Sequence, residues 1–254
     1  MVNPQGFTVR IRGYSLNRKV CMEFYKKKLP KLISKYIDKL INLVLVVMLL
    51  IGFYFIYDAW YIFYNDKANM AEYNPKEEGV EKLRELGDAV GWVYIEDTKL
   101  DFPIMQGKDN VEYLNKAPDG SYDLSGSIFL DFRNKPDFTD SYSLIYGHHM
   151  KGAMFGCIDD FMEEEYFNNH LKGTLWLRSG EELEIELFAF TLCDSNDDEI
   201  FDCENEYDRM AFLKENAEYY KEPKNDSIIF FSTCKQPNTT SRMGLAANIL
   251  GIRK

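Results

Sequence analysis

The stretch Ser227-Ile-Ile-Phe-Phe-Ser-Thr-Cys-Lys-Gln-Pro-Asn-Thr-Thr-Ser-Arg-Met-Gly-Leu-Ala-Ala-Asn-Ile249 decides the fold. An apolar run, Ile228 to Phe231, leads to Cys234, a polar loop containing Pro237 follows, and Arg242 opens a second apolar run. Short apolar runs bounded by turn residues read as buried strand, loop, buried strand. A cysteine at the exposed end of a rigid strand is aimed by the sheet and reached through the loop, which makes Cys234 a candidate nucleophile. A free cysteine is also commonly a small buried hydrophobe, and on these residues alone both readings stand.

Working outward, the charge is unevenly spread. Residues 1 to 40 hold ten lysines and arginines against Glu23 and Asp38, a net of +8, so the overall charge of −11 leaves −19 on the remainder. Between the two parts lies Ile41 to Tyr57, almost wholly apolar, followed by Trp60, Tyr61 and Tyr64. A helix needs roughly 20 apolar residues to cross a bilayer, and interfacial aromatics mark its far end. No small-residue cleavage site follows, which favours an anchor over a cleaved signal peptide. We therefore expect a basic cytoplasmic tail at 1–39, a membrane-spanning anchor at 40–64, a linker without period at 65–73, and an exterior domain at 74–254. The basic flank orients the anchor with its N-terminus in the cytoplasm, as a single-pass protein of the cell membrane. The first twenty or so residues show neither helical nor strand period. Four cysteines then lie outside, and Cys193 with Cys203 is an open disulfide candidate.

In the exterior domain, Asn74-Pro75 with Glu77 predicts a helix start, with Val80, Leu83, Leu86 and Val90 facing inward and an end near Gly87 or Gly91. Strand-like runs follow at Trp92–Ile95, Phe102–Met105, Ser127–Leu130 and Tyr142–Tyr146, and Pro103 suggests an edge position for the second. Asp109 with Glu112 caps a short helix carrying Val111 and Leu114. Met154, Phe155, Ile158 and Phe161 have helical spacing, and Glu163 to Phe167 reads as a further turn. Thr174–Leu177 and Glu182–Leu187 form a hairpin around Ser179-Gly180, the second strand continuing to Leu192 with Glu182, Glu184 and Glu186 facing water. Asn205 caps an amphipathic helix from Glu206 to Tyr220. Short strands with turn-like connectors favour an antiparallel or mixed barrel, mainly β with peripheral helices.

A cysteine nucleophile needs a base or an imidazolium partner, because a free thiol is mostly protonated at neutral pH. Of three histidines, His170 reads as a surface loop residue. His148 and His149 follow the strand Tyr142–Tyr146, and adjacent residues on extended chain point opposite ways, so one of them reaches a site. The pair alone is a poor metal chelate. Acyl transfer builds negative charge on a carbonyl oxygen, and Arg242, opening the strand after Cys234, is a cation for that charge or else a solvated strand-edge arginine.

Tyr146-Gly-His148, Phe231-Ser-Thr-Cys234 and Arg242 together resemble the signature of sortases, the membrane-anchored cysteine transpeptidases of Gram-positive surfaces. The resemblance extends over most of 74–254, including Gly91-Trp92, Gln106-Gly-Lys-Asp-Asn110 and Ser125-Gly-Ser-Ile-Phe-Leu-Asp131, and the helix at 206–220 is similar to that of class B. It implies a closed mixed barrel of about eight strands, with Cys234 as nucleophile, His148 rather than His149 as acid/base, and Arg242 stabilising the oxyanion and substrate. Ser232 and Thr233 resemble groove-lining residues. Phe231 departs from the family's leucine, without touching the chemistry. The resemblance further implies a C-terminal sorting-motif peptide cleaved after Thr, an acceptor amine from a cell-wall precursor or a pilin lysine, no cofactor, and no nucleic acid partner. Two other readings are a cysteine endopeptidase, in which water resolves the acyl enzyme, and an anchored surface-binding module with a vestigial site.

Overall fold

The strand carrying Cys234 is apolar on both sides because both sides are covered. Its residues Ile229 and Phe231 join the core inside the barrel, while Ile228 and Phe230 join a second core beneath the helices at 198–216. Burial on both faces explains a continuous apolar run where a half-exposed strand would alternate. Each such side chain contributes about 1.5–3 kcal/mol by its removal from water.

The computed structural model describes residues 9–11, 14–16, 22–150, 153–234 and 240–253, with Cys234 given by its backbone. The Pro237 loop and Cys21 lie outside them. The chain divides into two units, Met1–Tyr61 and Ile62–Lys254. In the first, Val9–Ile11 pairs antiparallel with Tyr14–Leu16, strands that no sequence period announced. A π-helical turn, Phe24–Lys28, leads into α1, Leu29–Ala71. One segment, Tyr25–Tyr61, is long and apolar enough to cross a membrane, and its apolar side chains from Leu40 to Tyr57 are exposed. The stretch expected as a linker without period is helical as far as Ala71.

The second unit contains α2 (Pro75–Glu78), α3 (Val80–Glu85), β1 (Ala89–Ile95), β2 (Asp101–Met105), β3 (Ile128–Leu130), β4 (Tyr142–Tyr146), α4 (Glu164–Asn169), β5 (Lys172–Leu177), β6 (Glu182–Asp194), α5 (Asp198–Phe201), α6 (Arg209–Asn216), β7 (Ala217–Tyr220), β8 (Ile228–Cys234) and β9 (Ser241–Ile252). Among the described residues, eight strands close in the order β6-β9-β8-β4-β3-β2-β1-β5 and back to β6, with β7 on β6 beyond β5. Pairings β2–β3 and β4–β8 are parallel and the rest antiparallel, which makes the barrel mixed. The 3₁₀ segment Phe155–Met162 adds Phe155, Ile158 and Phe161 to the interior.

Several expectations need correction. The first helix breaks at Gly79 (φ 81°), and Val90 lies in β1 instead of on a helix face. Asn74 is the cap as expected, its Oδ1 accepting from Lys76 N at 2.9 Å, while its Nδ2 donates to Asp101 at 3.1 Å and so ties the helix start to β2. Pro103 is in an interior strand, opposite Trp92 in β1, with the β3 ladder beginning one residue later at Ile104. The helix expected at 206–220 covers only 209–216. Asp208, accepting from Ala211 N at 2.9 Å, is its cap, and Asn205 bonds back to Asp202. Tyr219 and Tyr220 belong to β7, where their rings lie 5.8 Å from Phe190 and 6.1 Å from Phe188, and this packing outweighs helical spacing. Of the three glutamates expected in water, Glu184 is exposed, whereas Glu186 pairs with Lys224 and Glu182 with Arg253.

Gly244 lets the β8–β9 pair close on itself. A Cβ there would lie 2.0 Å from Phe230 Cζ, so the ring covers bare backbone. Gly244→Ala should therefore cost about 1–3 kcal/mol as an overpacked site. Denaturant unfolding of the detergent-solubilised chain checks this, and an unchanged midpoint would show that the ring has room to move.

Candidate active site

Three neighbouring strand ends meet at one rim of the barrel. In β8 and β9, Cys234 is the Cα partner of Arg242, and Arg242 is in turn the partner of Cys193 in β6. On the other side β8 runs parallel to β4 with Ser232 opposite Tyr146, and Gly147 N donates to Ser232 O at 3.1 Å. The ladder ends there, and His148 follows two residues after Tyr146 as Cys234 follows two after Ser232.

A groove of about 380 Å³ opens at this rim, lined by Asn110, Leu114, Phe129, Tyr146, Gly147, His148, Ser195, Phe201, Ser232, Thr233 and Arg242. His148, Arg242, Ser232 and Thr233 therefore share one cavity. Gly147 is needed beside the histidine, because a Cβ would lie 2.5 Å from Ile128 Cδ1 and 2.6 Å from Phe155 Cδ2. His148 Nε2 lies 2.9 Å from Leu114 O. A carbonyl only accepts, so Nε2 carries a proton and donates it there. His149 turns away and binds Asp159 Oδ1 at 2.8 Å through Nε2, as the alternation of an extended chain requires. His170 is held by Tyr166, its Nδ1 donating to Tyr166 O at 2.7 Å, far from this rim in sequence and in contacts. Arg242 Nη1 donates to Ser241 O at 3.3 Å. Thr233 is buried, and its Oγ1 has no partner among the described residues.

Beneath the groove is a polar cluster that sequence reasoning assigned no role. Asp131, fully buried at the end of β3, receives Arg133 Nε at 2.8 Å on Oδ1 and Arg133 Nη2 at 2.8 Å on Oδ2. Asn110 Nδ2 also donates to Oδ2 at 2.8 Å, and the Tyr146 hydroxyl at 3.1 Å. Burial opposes the charge of Asp131, but Arg133 and Asn110 outweigh it and hold the carboxyl below the usual range. Burial and the neighbouring carboxylate push the Tyr146 phenol well above its ordinary value. The signal available was a charged Asp131-x-Arg133 pair directly after an apolar strand.

Cys157, Cys193 and Cys203 are free thiols, so the open pairing of Cys193 with Cys203 is not formed. Burial pushes each of the three up to about 12, which leaves them protonated and unreactive at neutral pH. Among the described residues, no group of three or more His, Cys, Asp or Glu is placed to hold a metal ion.

No family model matches the chain. It is 30% identical over 189 residues to the sortase B of Staphylococcus aureus (strain NCTC 8325 / PS 47), covering 70% of this chain and 76% of that protein. It is 33% identical over 190 residues to the sortase B of Listeria monocytogenes (serovar 1/2a), covering 70% and 75%. Among solved structures it is similar to a Streptococcus pyogenes class B sortase involved in pilus biogenesis, with a TM-score of 0.61, 33% identity, and coverage of 68% of this chain and 98% of that one. A Staphylococcus aureus sortase B–substrate complex aligns with a TM-score of 0.64 and 26% identity, over 74% and 98% of the two chains. The fold common to these proteins is the closed mixed barrel of the sortases, which are cysteine transpeptidases. The chain belongs to class B of that family and is a sortase transpeptidase.

Folding lowers the Asp131 pKa, so its contribution to stability is complete above the unfolded-state value of about 4 and is lost as pH falls through the lower folded value. The stability difference between the wild type and Asp131→Asn should be constant from neutral pH down to about 4–5 and shrink below it. A difference unchanged down to about pH 2 would contradict this assignment.

Proposed function

We propose that this sortase cleaves a C-terminal sorting motif of secreted proteins after Thr and joins the acyl group to an amine of a cell-wall precursor, with Cys234 as nucleophile. The groove that His148 and Arg242 both line, with Arg242 paired to Cys234 across β8 and β9, carries this reading. The Cys234 thiolate adds to the threonine carbonyl carbon, and the carbonyl electron pair moves to oxygen. Arg242 stabilises that oxyanion and positions the substrate. A donor of this kind is worth about 3 kcal/mol in an oxyanion hole. As the C–N bond breaks, protonated His148 gives its proton to the leaving amine, and a thioester on Cys234 remains. The acceptor amine then adds to the thioester, neutral His148 takes its proton, and the thiolate leaves with the amide formed. With Nε2–H directed to Leu114 O, Nδ1 is the nitrogen that gains and returns the proton. Ser232 and Thr233 line the peptide's path.

The apolar segment Tyr25–Tyr61 supports a membrane anchor. By the positive-inside rule, the basic tail at 1–39 is cytoplasmic, the anchor at 40–64 crosses once, and residues 65–73 lead to the exterior catalytic domain at 74–254. Secreted proteins and wall precursors would meet the groove on that side. The pilus role of the Streptococcus pyogenes relative favours a pilin lysine as the second acceptor to try.

Incubating the full chain in detergent with sorting-motif peptides and an amine, then reading products by mass spectrometry, tests the reaction. Amide product is expected; hydrolysed peptide alone would make the enzyme an endopeptidase. Arg242→Ala should lower kcat by about 10²–10³ with the fold kept. Near-normal turnover would remove Arg242 from the oxyanion role.

A further inference from the structure

Asp131 is more elaborately held than charge balance requires. A buried carboxylate is costly unless its lone pairs meet donors and its charge meets a cation. Arg133 supplies both in a two-point contact, adding its backbone N on Oδ1 at 3.0 Å. Two further donors nevertheless converge on Oδ2, and both are side chains that line the groove: Asn110 and Tyr146. They arrive from different parts of the chain, Asn110 from the loop after β2 and Tyr146 from the last position of β4, two residues before His148. Asn110 is fixed at its other end as well, because its Oδ1 accepts from Phe132 N at 3.0 Å. The Tyr146 ring packs on Phe129, centroid to centroid 5.4 Å, and that ring also lines the groove. Asp131 itself does not line the cavity.

The geometry points to Asp131 as a positioning residue for the acyl-donor step, fixing through Asn110 and Tyr146 the groove wall against which the sorting peptide is held. The inference rests on the groove being the peptide site. A carboxylate acting in this way changes how the peptide is held and leaves the thiol's own reactivity alone. Iodoacetamide, a small reagent that alkylates a thiol without a peptide-holding wall, separates the two effects.

The experiment uses the full chain in detergent, a turned-over sorting-motif peptide, and iodoacetamide. Asp131→Asn keeps size but removes the charge and one acceptor; Tyr146→Phe removes one donor and serves if Asp131→Asn does not fold. Each should lower kcat/KM for the peptide by about 10- to 100-fold, mainly through KM, as expected for misplaced binding groups. Alkylation of Cys234 should stay within about twofold of wild type, and Asp131→Asn should cost much less when added to Tyr146→Phe, because the two act through one contact. Peptide kinetics within about twofold of wild type, alkylation falling in parallel with turnover, or fully additive losses would overturn the proposal. A wild type that alkylates at Cys234 yet turns over no peptide would instead defeat the reading of the groove.

Discussion

The parallel pairing of β4 with β8 is the contact on which the site depends. Antiparallel neighbours come from a hairpin, as β8 and β9 do, and that alone explains Arg242 beside Cys234. His148 is distant in sequence and reaches the same rim only because β4 and β8 run the same way in register, Tyr142 with Ile228 through Tyr146 with Ser232. A slip of one residue would turn His148 to the other face of the sheet. Both faces are packed, Leu144 and Phe230 in the outer core and Ile145 and Phe231 in the inner one, so a slipped register would have to refit side chains to two close-packed cores at once.

This dependence explains what was legible in the sequence. The eight strands of the barrel were readable from local apolar runs and turns, and β4 was placed to the residue at Tyr142–Tyr146. The hairpin relation of Cys234 and Arg242 was readable because it is local. The approach of His148 was not, since neither strand encodes its partner, and only the combined resemblance to sortases supplied it. Two of the errors share an origin. Spacing at 217–220 looked helical, but Tyr219 and Tyr220 gain more by packing on Phe190 and Phe188. Val90 fitted a helix face but lies in β1, and Gly79 breaks the helix that would have carried it. Tertiary packing decided these short segments, whose intrinsic preferences are weak.

The buried polar groups follow the same logic in reverse. The Asp131-x-Arg133 spacing signalled a charged pair but not its part in a site, since that lies in Arg133, Asn110 and Tyr146 arriving from three places around one oxygen pair. Hydrophobic burial closes the barrel without direction; the directional bonds beneath the groove then orient the side chains that face it. The free thiols show the complement. Cys193 is in register with Arg242 yet buried and kept protonated, so its place near the rim does not make it a nucleophile.

The most direct test of the account is to trap the acyl enzyme. Sorting-motif peptide is mixed with the full chain in the absence of an acceptor amine, the reaction is quenched in acid, and the adduct is mapped by tandem mass spectrometry. The account predicts the acyl mass, cleaved after threonine, on Cys234, its formation strongly slowed in His148→Ala and Arg242→Ala. An adduct on Cys193 or Cys203, or cleavage that proceeds undiminished in Cys234→Ala, would contradict it.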